Sequence, residues 1–308
     1  EEIEKERDRI NKAFKIAEIG PEDIKQGENR IKEYFDIELL GVRKALGIWM
    51  KQFINLLLAR EEHKWVFYVS YPAINRLPLA MNLLSEDIYC GTAPELILDV
   101  VMGQIFDKLN PILVAAEEHG LPPGLGMCSL NQARLGGIAK GLLPKPDALL
   151  SWDFLCDQTP KLDELIQEVY GGVVIYIDNC VDSPKDEYPE ISPRRVGYMA
   201  NDIKDAMDEI ARMTGLEVTE EALNTARREV AKLWLGMYEI WKLQKADPVP
   251  LSWVDLAMIW YLIAEPERTT IQDGAVVTTS LLMDAKRRVE QGKGIKEKGT
   301  PRVLLLGY

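Results

Sequence analysis

Four short runs in this chain are apolar almost without interruption, and each is separated from the next by a stretch with helical spacing. They are Trp65–Ser70, Asp87–Cys90, Ala148–Trp152 and Val173–Ile177. A strand with one face in water alternates apolar and polar residues, whereas a continuous run needs cover on both faces. Continuous strands alternating with helices therefore predict an α/β fold, with a Rossmann-like parallel sheet flanked by helices. Gly126-Met127-Cys128 is a candidate fifth strand end. In such sheets ligands bind beyond the carboxyl ends of the strands.

The rest of the chain reads as helix. Apolar positions at spacings of three and four predict helices over 1–19, 22–35 and 36–61, with Gly20-Pro21 ending the first. Helical pattern also fits 94–118, 130–141 and 160–169, and nearly all of 194–290. Thr219 followed by Glu220 and Glu221 predicts a helix start, because acids favour the positive N-terminal end. The expected organisation is an N-terminal helical segment over 1–61, a Rossmann-like domain over 62–193 and a helical segment over 194–299. Residues 300–308 would be the first strand of a second α/β domain that is otherwise missing. Its core is the run Val303 to Gly307.

The formal net charge is −12, which disfavours nucleic acid and anionic membrane as partners. No basic N-terminal region precedes an apolar run, and the apolar stretch at 253–264 contains Asp255 and is too short to cross a bilayer. A cytoplasmic chain with reduced thiols is expected. Four cysteines in 308 residues are too few for a disulfide scaffold.

Those cysteines, Cys90, Cys128, Cys156 and Cys180, include no Cys-x-x-Cys pair, so zinc-ribbon and thioredoxin signatures are absent. Any one of them could be a small core residue. Their placement is more informative. Cys128 and Cys156 each stand just before a predicted helix, and Cys180 follows the fourth strand. All three fall on one rim of the sheet, where a helix dipole stabilises a thiolate. Cys90, inside or at the end of a strand, is the weakest candidate. The two histidines offer little for acid–base chemistry. His63 lies among Glu61, Glu62 and Lys64, and His119-Gly120 reads as a helix end.

Cys128-Ser129-x-x-x-Ala133-Arg134-x-Gly136 is followed by Leu143-Pro144-x-Pro146-Asp147, then a strand, then Cys156-Asp157-x-Thr159-x-Lys161. This resembles the 2-hydroxyacyl-CoA dehydratase and benzoyl-CoA reductase family, as do Pro94-Glu95-Leu96-Ile97 and the Val303–Gly307 run. The likeness spans most of 60–308 and is strongest over 126–170. It implies two Rossmann-like domains, a homologous second subunit in a heterodimer or homodimer, and a 4Fe-4S cluster held by three cysteines. It also implies an acyl-CoA substrate and an ATP-dependent iron–sulfur activator. In the dehydratases a single low-potential electron makes a ketyl radical from the thioester, and water is eliminated. Benzoyl-CoA reductases reduce an aromatic ring by related logic.

By position, Cys128 and Cys156 match the family's first two cluster ligands. The third comes from the second domain, with Cys180 as a possible substitute on this chain. Ser129 and Asp157 would lie beside the cluster, giving hydrogen bonds to its surroundings or serving as helix N-caps. Where many members carry a Tyr-x-Pro-x-Glu-like element, this chain has Ser70-Tyr71-Pro72-Ala73-Ile74-Asn75. The acid is replaced, with Asn75 near its place, which points toward an electron-relay subunit. Ser70, Asn75, Arg76 and Arg134 are candidate substrate or CoA contacts. Three other readings stay open. They are a clusterless nucleotide- or CoA-binding module, an assembly subunit with core cysteines, and a double-cluster reductase relative. Against the first, no Gly-x-Gly-x-x-Gly follows a strand and no P-loop occurs. Gly136-Gly137 reads as a site of close helix packing.

Overall fold

The computed structural model describes residues 2–69, 76–121, 127–153, 156–178 and 192–303. Three helices open the chain: α1 (Glu2–Ile16), α2 (Pro21–Tyr34) and α3 (Leu40–Glu62). The α/β core follows, as β1 (Trp65–Val69), α4 (Arg76–Leu84), β2 (Ile88–Thr92) and α5 (Pro94–Leu98). The chain continues through a π-helical stretch (Asp99–Ile105), α6 (Asn110–Glu118), α7 (Ser129–Ala139), β3 (Ala148–Trp152), α8 (Gln158–Tyr170) and β4 (Val173–Ile177). Four helices complete it: α9 (Pro193–Thr214), α10 (Glu220–Leu243), α11 (Trp253–Ala264) and α12 (Arg268–Glu290).

The described strands form one parallel sheet in the order β2-β1-β3-β4. The four apolar runs are thus strands, within a residue or two of their expected ends. Alternate residues feed two separate cores. Val66, Tyr68, Tyr89 and Leu149 pack on one face with α3, α5, α7 and α8. Phe67, Val69, Cys90, Leu150 and Ile175 pack on the other with α4, α9 and α10. Burying both faces explains why β1, β2 and β3 read as unbroken apolar runs. At the edge, β4 departs from this. Ile175 and Ile177 are buried, but Tyr176 is 52% exposed, and its hydroxyl donates to Glu164 Oε1 on α8 at 3.0 Å.

The expected helix over 94–118 is broken in two. Its middle is π-helical, and Asp107 takes a left-handed backbone (φ 58°) before α6 begins. Thr219 caps α10 as expected, its Oγ1 accepting from the Ala222 amide at 3.2 Å. Asp255, which interrupts the apolar run of α11, is buried and accepts from the Asp36 amide at 3.1 Å, tying α11 to the α2–α3 connection. Among the described residues no helix is long and apolar enough to cross a membrane. Residues 301–303 form no strand, and the remainder of the Val303–Gly307 run lies outside the described residues.

Candidate functional site

The site is built where two helices begin. In a parallel sheet with right-handed helix returns, helices start at the carboxyl rim of the strands, and their first amides point outward without intrahelical partners. β3 ends at Trp152, and Cys156 stands two residues before α8. Cys128 is the N-cap of α7, in extended backbone (φ −73°, ψ 157°), with no side-chain capping bond. Met127 and Cys128 form no strand, and 122–126 lie outside the described residues. Cys128 therefore reaches the rim as a helix start and not, as expected, as a strand end.

Gln158, the first residue of α8, joins the two helix starts. Its Oε1 accepts from the backbone N–H of Cys128 at 3.1 Å and from Asn131 Nδ2 at 3.5 Å. The consequence is that the residue two after Cys156 touches the backbone of Cys128. The two cysteines thus share one rim. Cys128 is exposed and Cys156 half-buried, and both are free thiols. The dipoles of α7 and α8 place positive potential beside them.

Further along the same helices, Arg134 Nη2 lies 2.7 Å from Asp163 Oδ1, with both side chains fully buried. Arg134, a candidate CoA contact from the sequence, is thereby placed out of reach of solvent in this chain. Its guanidinium is turned into the α7–α8 seam, where no phosphate in solvent reaches it. The back of α7 rests on α6 at Gly136, where an added Cβ would come within 1.9 Å of the Ile112 carbonyl oxygen. The glycine pair is thus a site of close helix packing, as read from the sequence.

The neighbouring polar residues are also placed. Ser129 is the first residue of α7 and exposed, and the cap position belongs to Cys128 instead. Asp157 occupies the cap position of α8, but its side chain makes no capping bond. It accepts from Lys161 Nζ at 2.9 Å, and that bond holds its carboxyl below the usual range. Arg76 is exposed at the start of α4. Ser70, Asn75 and Cys180 lie outside the described residues. Cys90 is in the middle of β2, fully buried, and burial pushes its thiol well above the usual range. It is a core residue away from the rim. His63 caps α3 and sits against the Glu86 carbonyl, while His119 caps α6 against the Ala115 carbonyl.

A second polar feature lies where β2 ends. Glu267, at the start of α12, is buried and accepts from the Tyr89 hydroxyl at 3.1 Å. Burial is the main cause that pushes its carboxyl up to about 8. Glu95 and Glu265 are buried as well.

Sequence reasoning passed over Gln158, Asn131, Asp163 and Glu267. Asp163 had a signal. It stands four residues after Thr159 and three before Ile166, on the buried face of α8, so a carboxylate there requires a partner. Gln158 carried none, since a polar residue in a first helical turn is ordinary.

Two thiols at adjacent helix starts fit part of the ligand set of an iron–sulfur cluster, which is held by thiolates. Among the described residues there is no group of three or more Cys, His, Asp or Glu able to hold a metal ion. A cluster here would therefore draw further ligands from elsewhere. The family model described as 2-hydroxyglutaryl-CoA dehydratase, D-component, matches residues 89–308. That span runs from inside β2 to the last residue and contains both helix starts. Comparison with curated proteins finds no significant match.

Proposed function

The chain belongs to the 2-hydroxyglutaryl-CoA dehydratase D-component family, and from that premise we propose that it is a cluster-bearing subunit acting on acyl-CoA thioesters. In this reading Cys128 and Cys156 supply two thiolates to a 4Fe-4S cluster. A further ligand comes from outside the described residues, with Cys180 this chain's own candidate. The observation that carries the reading is the Gln158 contact, which brings both cysteine-bearing helix starts together on the carboxyl rim. When bound, such a cluster supplies one-electron transfer and Lewis acidity toward a thioester carbonyl.

The chain's own residues then have limited and definite tasks. Gln158 holds the backbone at Cys128. Ser129 and Asp157, beside the two sulfurs, set the local hydrogen bonding. Arg76, with Ser70 and Asn75 close by in sequence, is the candidate contact for the CoA end of the substrate. A homologous second subunit and an ATP-dependent activator complete the enzyme, with the cytoplasm as its place of work. Dehydration of a 2-hydroxyacyl-CoA is the favoured reaction, since the family is described by it, and ring reduction of the benzoyl-CoA type is the alternative.

The test is turnover without air. The protein is combined with its partner subunit, activator, ATP and a 2-hydroxyacyl-CoA, and 2-enoyl-CoA is followed by chromatography. Product from wild type and none from Cys128→Ser supports the reading. Undiminished product from Cys128→Ser would overturn it.

A further inference from the structure

We propose that the buried Arg134–Asp163 pair is a positioning device that fixes α7 against α8 and so sets the separation of Cys128 from Cys156. The proposal rests on the cluster reading for its purpose, but its geometry stands apart from it. Arg134 lies six residues after Cys128, and Asp163 seven after Cys156. At roughly 1.5 Å per residue, the pair sits about 8–10 Å along each helix from its start. The Gln158 contact ties the same two helices at their N-terminal ends. One tie between two rods leaves a pivot. Two ties, separated by more than a helical turn, fix both the register and the angle.

α7 meets α6 through Gly136, which gives close approach but offers no side chain to interlock. The pair is a single close Nη2–Oδ1 contact at 2.7 Å between two fully buried groups, where little solvent screens their attraction. Burying two charges is also costly, and apolar residues of similar size often stabilise a fold as well or better. A fully buried pair in this seam is therefore better explained by placement than by stability.

The experiment reads placement directly. Nitroxide labels are attached to Cys128 and Cys156 in the iron-free full chain carrying Cys180→Ser, and their distance distribution is taken from dipolar line broadening. The unaltered pair should give one narrow distribution. The double variant Arg134→Met/Asp163→Leu removes both charges together, so neither is left buried alone. Its distribution should be at least twice as wide while its melting temperature holds or rises, and iron affinity on reconstitution should fall at least tenfold. Arg134→Lys keeps the charge on a shorter side chain, and should widen the distribution less, with the fold retained. An unchanged width in the folded double variant overturns the proposal, because a merely stabilising pair would move the melting temperature alone. Since the labels are read without iron, a wild-type protein that never holds iron would sink the cluster reading and leave the width result standing.

Discussion

The backbone N–H of Cys128 donates to the side-chain oxygen of Gln158 at 3.1 Å, although 30 residues separate them in the chain. A helix N-terminus exposes amides that no intrahelical carbonyl accepts from. Here one of them is satisfied by the first residue of the neighbouring helix. Gln158→Leu should therefore lower stability by about 0.5–1.5 kcal/mol, the usual net worth of a hydrogen bond. Gln158→Glu keeps the acceptor and should cost less. Urea unfolding measures both. Hydrogen exchange at the Cys128 amide should quicken in the leucine variant alone.

Glu267 predicts a pH dependence whose sign is fixed. Its carboxyl is raised from 4.5 to about 8 by burial, so the folded chain holds this proton more tightly than the unfolded one. Its contribution to stability is fully present below pH 4.5 and is lost as pH rises toward 8. Glu267→Gln mimics the protonated form and still accepts from Tyr89. It should raise the melting temperature most at pH 8–9 and little near pH 4.5, with a gain on the order of a few kcal/mol at the alkaline end. Thermal unfolding across that range checks it. Equal effects at both ends would contradict the assignment.

Two glycines in helices should respond to alanine with opposite signs. At Gly136 the new methyl would meet the Ile112 carbonyl at 1.9 Å, so α6 and α7 must part. The cost should be about 1–3 kcal/mol or more, outweighing alanine's helix preference of about 1 kcal/mol. At Gly47, in α3, a Cβ meets nothing within 4 Å, and alanine should stabilise by about 0.5–1 kcal/mol. Paired urea titrations decide both. Gly136→Ala should also reduce iron retention, because it displaces the helix that starts at Cys128.

The strands were legible because burial on both sheet faces writes itself into consecutive positions. Trp65–Val69 and Ala148–Trp152 could be found without any partner in view. The helix starts at Thr219 and just after Cys156 were legible for a local reason, since caps and strand ends act over a few residues. What could not be read was pairing between distant segments. Arg134 alone is an arginine in a helix, and only Asp163, on the next helix, makes it a buried residue instead of a surface one. Gln158 has the same character. The break at Asp99–Ile105 was hidden too, because a π-helical turn keeps an apolar pattern close to the α-helical one. Met127-Cys128 read as a strand end because apolar loop residues beside a helix start look like one.

The central claim is that Cys128 and Cys156 hold an iron–sulfur cluster. Iron and acid-labile sulfide in protein purified without air test it most directly, with wild type beside Cys128→Ser, Cys156→Ser and Cys90→Ala. The account predicts about four irons per chain in wild type, the composition of a 4Fe-4S cluster. It predicts loss of most of that iron in both serine variants. Cys90→Ala should retain it, because Cys90 is a core residue of β2. Iron retained in full by Cys128→Ser, or absent from wild type never exposed to air, would contradict the account.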